Sequence, residues 1–215
     1  MPEYIDPKQF IITRKRKKYR FAKFSNSMLC FELAEWKKRD ADYIEIGAGN
    51  GMFMVEQAAL EPRKIFIAVD IKGDRLQKGA YEAQARGLDN VFFVRARADQ
   101  LASLVNDQSV AGIWLTFSDP FPKKGSAGRR LTHAHYLECY RKALQNSGSL
   151  YIKHDNAPFF AWSLEQLAAN DWRILELSLD LHGSELPERY KIMTAYESKW
   201  LGQGLTTQFV RATLS

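Results

Sequence analysis

Tyr43-Ile44-Glu45-Ile46-Gly47-Ala48-Gly49-Asn50-Gly51 changes character halfway along. Three of its first four residues, Tyr43, Ile44 and Ile46, have the aromatic and β-branched side chains that suit a strand. The remainder is a turn rich in glycine, which lets the backbone bend sharply and approach a ligand with no Cβ in the way. Residues 52–59 then carry the apolar spacing of a helix. Strand, Gly-rich turn and helix in that order open a parallel α/β sheet, in which ligands bind beyond the carboxyl ends of the strands. Asp70 ends the next strand, residues 65–69, about 20 residues on, where an acid able to hold a ribose is expected.

Outward from this unit the pattern repeats. Short apolar runs at 91–94, 110–117 and 149–153 alternate with helical periods at 72–86, 134–144 and 159–169. Strands alternating with helices predict a mostly parallel sheet covered on both faces, a Rossmann-like α/β sandwich. Two further β-rich runs, 172–180 and 207–213, have no helix between them and are expected to pair as an antiparallel edge hairpin. Residues 1–40 read as a basic arm plus an amphipathic stretch, 28–36, expected to pack as a helix, and 41–215 as the α/β domain. Trp36, Trp114, Trp162, Trp172 and Trp200 read as core anchors.

The 215 residues are 46% hydrophobic and 26% charged, enough for a core of ordinary size. No run of about 18 uncharged apolar residues is present, and the first ten residues lack the apolar segment of a signal peptide. Cys30 and Cys139 stand far apart without a CxxC or paired histidines, which argues against zinc and disulfides and for a reducing cytoplasm. The net charge of +6 is concentrated in Arg14-Lys15-Arg16-Lys17-Lys18-Tyr19-Arg20-Phe21-Ala22-Lys23 and around Lys123, Lys124, Arg129 and Arg130. Basic clusters interleaved with aromatics suit a nucleic acid; a solvated charged face or a membrane-surface patch has the same composition.

Four predicted strand ends carry acids. Glu45 beside the Gly47-x-Gly49-x-Gly51 turn would repel a pyrophosphate, but it suits the ammonium or sulfonium of S-adenosylmethionine. Asp70 suits the ribose. Asp99 either accepts from an adenine amine or caps the helical turn ahead of Leu101. The fourth strand runs into Phe117-Ser118-Asp119-Pro120-Phe121-Pro122-Lys123-Lys124, where two prolines stiffen the backbone that presents Asp119, making a slot for a flat base. No metal-ligand spacing is seen among His133, His135, His154 and His182, and His154 reads as a strand-end residue.

From about Tyr43 to Glu197 the chain resembles the tRNA (guanine-N7)-methyltransferases. The matching segments are the Gly-rich turn, the run from Phe117 to Lys124, Arg129-Arg130-Leu131-Thr132, Lys153-His154-Asp155-Asn156 and Met193-Thr194-Ala195-Tyr196-Glu197. The resemblance implies a class I methyltransferase fold and methyl transfer from S-adenosylmethionine to N7 of the variable-loop guanine of tRNA. It implies cofactor binding by Glu45, Gly47, Gly49, Gly51, Asp70, Asp99 and Asp119, with Asp119 also catalytic. It further implies substrate binding by Lys123, Asp155, Thr194, Ala195, Tyr196 and Glu197, and charge places Lys124, Arg129 and Arg130 on RNA phosphates. Asp70 stands where the family usually has Glu, Phe121 where it has Trp, and Ala195 where Glu or Lys is frequent. Two other readings remain open: another base-directed methyltransferase, and a non-catalytic RNA-binding subunit with a vestigial cofactor pocket. A monomer and a homodimer are equally compatible with the sequence.

Overall fold

The computed structural model describes residues 4–194, 196–198, 202, 204 and 206–214. In chain order the elements are α1 (Lys15–Ser25), β1 (Cys30–Glu32), β2 (Tyr43–Ile46), α2 (Met52–Leu60), β3 (Phe66–Asp70), α3 (Gly73–Ala85) and β4 (Val91–Arg95). They continue with β5 (Val110–Thr116), α4 (Ala134–Ala143), β6 (Leu144–His154), α5 (Ala157–Ala169), β7 (Trp172–Ser178) and β8 (Gln208–Leu214). The strands form one sheet in the order β1-β4-β3-β2-β5-β6-β8-β7. From β1 to β6 every neighbouring pair is parallel, and β8 runs antiparallel to both β6 and β7.

Alternation along β3 shows how the sheet is buried. Phe66 and Ala68 join one apolar cluster with Phe53 of α2 and Leu76 of α3, whereas Ile67 and Val69 join the other with Tyr140 of α4 and Phe160 of α5. A strand buried on both faces needs apolar side chains at successive positions, which is why these strands read as continuous apolar runs. Chain order reverses between β2, which leads to β3 and β4, and β5, which leads to β6. The crevice of a doubly wound sheet opens at that reversal.

Two expectations are corrected. Residues 28–36 are not a helix: they hold β1, which pairs with β4 through Cys30↔Phe93 and Glu32↔Arg95, followed by a turn. The unpaired edge of β4 supplies ladder hydrogen bonds, and Phe31 packs edge-on against Trp36 with ring centroids 5.2 Å apart. Tertiary pairing thus overrides a local helical period. The helix lies earlier, in the basic run, where α1 buries Ala22 and Phe24. The last two strands do pair antiparallel, but β8 inserts between β6 and β7, so β7 forms the edge and the connection between them is long. Trp36, Trp114 and Trp172 are buried, Trp162 is half-buried, and Trp200 lies outside the described residues.

Candidate active site

Beyond the carboxyl ends of β2, β3 and β5 lies a cleft of about 920 Å³, lined among others by Glu45, Gly47, Gly49, Asp70, Asp119, Thr194 and Tyr196. Its floor is Glu45, only 1% exposed. The Thr116 hydroxyl donates to Glu45 Oε1, and Oε2 is buried with no hydrogen-bond partner. Burial pushes this carboxyl up to about 8, against the Thr116 hydrogen bond, which acts the other way. A buried carboxylate lacking a partner is costly, so the site is made for a group that supplies one, and a cation does so best.

The turn above Glu45 is held from β3. Asp70 Oδ2 accepts from the Gly49 N–H at 2.8 Å, and Oδ1 accepts from the Lys72 N–H at 2.8 Å. Each carboxylate oxygen keeps a lone pair, enough for the two hydroxyls of a ribose. Burial raises the Asp70 carboxyl, and the Gly49 N–H is the largest influence against it. Gly51, at φ +71°, closes the turn, and a Cβ there would lie 2.5 Å from the Phe93 ring. Gly49, at φ +58°, has nothing within 4 Å of such a Cβ and leaves its side of the turn open. A buried acid seeking a cation, an acid poised for hydroxyls and an open glycine edge together fit S-adenosylmethionine.

At the end of β5 the backbone is strained. Phe117 (φ +49°) and Phe121 (φ +40°) both adopt the left-handed region that bulky residues avoid, on either side of exposed Asp119. Such strain persists where the surroundings over-determine it. Here Arg130 supplies part of the constraint, donating from Nε to Pro120 O at 3.0 Å and from Nη2 to Phe121 O at 3.1 Å. Its guanidinium also covers the Trp162 ring at 4.4 Å. Arg130, expected on phosphate, thus also holds the Asp119 turn. Arg129 lies over the Phe121 ring at 4.2 Å and lines the cleft, while Lys123 and Lys124 are exposed just outside the cleft lining.

Of the remaining expected residues, Asp99 is not in the cleft lining but pairs with Arg97, which is. Arg97 donates to it from Nε at 3.0 Å and from Nη2, and this pairing holds the Asp99 carboxyl below its ordinary value. Arg97, not Asp99, is the N-cap of the helical turn that follows. His154 is a structural residue: Nε2 contacts Ser118 O at 2.8 Å and Nδ1 accepts from the Asn156 N–H at 2.8 Å. Asp155, half-buried, accepts from the Tyr196 hydroxyl at 3.3 Å. Ala195 lies outside the described residues.

Glu197 sits apart from the cleft lining, 1% exposed. It receives Lys153 Nζ at 2.9 Å, His182 Nε2 at 2.8 Å and the Thr207 hydroxyl at 3.0 Å. With Thr194 it makes a reciprocal capping box, Glu197 N–H to Thr194 Oγ1 at 3.0 Å and Thr194 N–H to Glu197 Oε2 at 3.2 Å. Lys153 also donates to Ile192 O at 2.9 Å, and burial lowers its ammonium while Glu197 works against that shift. Sequence reasoning missed Thr116 and the burial of Lys153. The signal available for each was a polar side chain at the end of an otherwise apolar strand.

Comparison with known proteins agrees with this geometry. The family described as "Putative methyltransferase" matches residues 39–209. The chain is 34% identical over 187 residues to the tRNA (guanine-N(7)-)-methyltransferase of Brevibacillus brevis, spanning 85% of this chain and 87% of that one. It is 37% identical over 172 residues to the enzyme of the same name from Bacteroides thetaiotaomicron, covering 80% and 68% respectively. Among solved structures, the 16S rRNA methyltransferase KamB shares the fold with a TM-score of 0.61 at 15% identity, over 85% of this chain and 90% of that one. With a site built for a cationic adenosine cofactor and this degree of likeness, the chain belongs to the tRNA (guanine-N(7)-)-methyltransferase family.

Proposed function

We propose that this protein transfers a methyl group from S-adenosylmethionine to N7 of the variable-loop guanine of tRNA, with Asp119 orienting the base. The observation that carries the reading is Asp119 itself, exposed at the rim of the Glu45 cleft between two strained aromatic residues. S-adenosylmethionine supplies a methyl group on a sulfonium sulfur, which keeps the electron pair of the broken C–S bond. Guanine N7 presents an in-plane lone pair and no proton, so the reaction needs no general base.

The protein's part is alignment. Glu45 and Asp70 hold the two ends of the cofactor, and Asp119 accepts from the Watson–Crick edge of guanine, so that nucleophile, methyl and sulfur lie in line. As N7 becomes methylated the ring gains positive charge, and the Asp119 carboxylate stabilises it where it develops. Phe121 and Phe117 offer apolar faces beside the flipped base, whose removal from its stack costs a few kcal/mol. Asp155, Thr194 and Tyr196 frame the far side, and Lys123, Lys124 and Arg129 face the flanking phosphates.

The test is mass spectrometry of nucleosides from unmodified tRNA incubated with the protein and S-adenosylmethionine. N7-methylguanosine is the expected product. Asp119→Ala should lower the single-turnover rate by about 10²–10³-fold while tRNA still binds. A different methylated nucleoside would overturn the base assignment, and an active Asp119→Ala variant would overturn the role of that residue.

A further inference from the structure

The Thr-x-x-Glu segment lies at the edge of the site, yet its glutamate faces away from the cleft. Its two carboxylate oxygens receive four donors: Lys153 Nζ and the Thr194 N–H on Oε2, His182 Nε2 and the Thr207 hydroxyl on Oε1. A carboxylate offers about four lone-pair positions, so none remains for a substrate. These donors come from four separate stretches of chain: the end of β6, the turn after β7, the residue just before β8 and the capped turn itself. One buried carboxylate therefore ties the long β7–β8 connection to the middle of the sheet.

What that connection presents to the cleft is Thr194 and Tyr196. The Tyr196 hydroxyl in turn reaches Asp155 at 3.3 Å, and its ring lies 5.4 Å from that of Phe117, which opens the Asp119 turn. Lys153 is placed between the two halves of the site, its Nζ 5.5 Å from the Phe53 ring and 6.0 Å from the Phe117 ring. Lys153 and Glu197 both have fully buried side chains. An ion pair in such a place contributes little net stability compared with apolar side chains of similar size, but it fixes geometry through directed bonds.

We infer that Glu197 and Lys153 are positioning residues: their ion pair, braced by His182 and Thr207, is a latch that sets the Thr194–Tyr196 wall against the guanine slot. The inference rests on the reading that this wall faces the substrate base. It replaces direct substrate contact by Glu197 with action through Thr194 and Tyr196. The cofactor half of the cleft, built on β2 and β3, feels the latch only through the Lys153 charge, which acts on Glu45.

The experiment compares the wild type with Glu197→Gln, Thr207→Val, His182→Phe and the apolar pair Lys153→Met/Glu197→Leu. Each is measured for S-adenosylmethionine affinity by calorimetry, for KM and kcat with tRNA, and for hydrogen exchange of residues 191–198 without tRNA. The latch predicts exchange at 191–198 at least tenfold faster in all four variants. It also predicts KM for tRNA raised about tenfold, cofactor affinity within twofold in Glu197→Gln, Thr207→Val and His182→Phe, and a melting temperature of the apolar pair close to the wild type. Thr207→Val and His182→Phe touch only the far side of Glu197, so a wild-type KM in both, with Glu197→Gln impaired, would overturn the latch in favour of direct contact. Unchanged exchange at 191–198 would overturn it outright. The exchange result does not depend on turnover, so a wild type that fails to methylate tRNA would sink the proposed function while leaving the latch to be decided by exchange.

Discussion

Glu45 is a carboxyl held in its neutral form at a place where a cation is to bind. Its pKa near 8 means that, below that pH, the empty site carries a proton that must leave when the carboxylate meets a positive charge. Binding then releases a proton, so cofactor affinity should rise with pH by up to about tenfold per unit between roughly pH 6 and 7.5. The slope should flatten toward the upper bound, because an α-amino group of pKa about 7.7–8.0 begins to lose its own proton there. Glu45→Gln should weaken binding and flatten this slope; calorimetry in buffers of differing ionisation enthalpy measures both, and a slope unchanged in the variant would refute the assignment. The sign for the fold is opposite. Because the folded-state value lies above the ordinary carboxyl value of 4.5, Glu45 lowers stability progressively as pH rises from about 4.5 through 8. Position relative to strand ends was enough to pick out Glu45, Asp70 and Asp119 from the sequence. The inward turn of Arg130 and the entombment of Glu197 were not legible, because a charged residue in a motif looks the same whether it serves a ligand or braces a loop.

At the scale of elements, the strand–turn–helix unit from β2 to α2 is fixed by fit as much as by composition. Gly51 combines a left-handed backbone with a Phe93 ring 2.5 Å from where a Cβ would stand. Gly51→Ala should therefore lose about 2–4 kcal/mol from overpacking and backbone strain together, read by urea or thermal unfolding. A loss below about 0.5 kcal/mol would mean that the turn can relax. The parallel strands were legible because burial on both faces writes them as unbroken apolar runs. β1 was not: Cys30-Phe31-Glu32 is too short to show a period, and only the free edge of β4 makes it a strand. The strain at Phe117 and Phe121 left no trace in the sequence beyond the prolines nearby, since both residues are ordinary strand formers.

Across the whole molecule, charge is distributed against local stability. The first turn of α1 is Lys15, Arg16 and Lys17 with no acid among them, at the positive end of the helix dipole. Arg14, Lys15, Arg16 and Lys17 are exposed and none pairs with a described carboxylate, while Phe24 on the inner face packs against Gly73 near the cleft rim. The charge-reversed variant Lys15→Glu/Arg16→Glu/Lys17→Glu should keep or gain helix stability. It should also bind tRNA more weakly and reduce the slope of log affinity against log salt by roughly 2–3, one counterion per lost phosphate contact. An unchanged slope in filter-binding titrations would remove α1 from the RNA surface. Among the described residues no helix is long and apolar enough to cross a membrane.

The order of the sheet also bears on how the protein is made. β8, residues 208–214, follows every other strand in the chain yet lies inside the sheet, between β6 and β7. Until it has been synthesised, β6 and β7 face each other across a missing strand, and Thr207 is not yet available to brace Glu197. A ribosome-bound chain can assemble β2 to β5 with their helices, since those contacts join neighbouring parts of the sequence, but must wait for β8 to close the far half. The latch over the guanine slot thus becomes complete only after β8 has joined the sheet, so the nascent enzyme holds its cofactor half in shape before it can grip a tRNA.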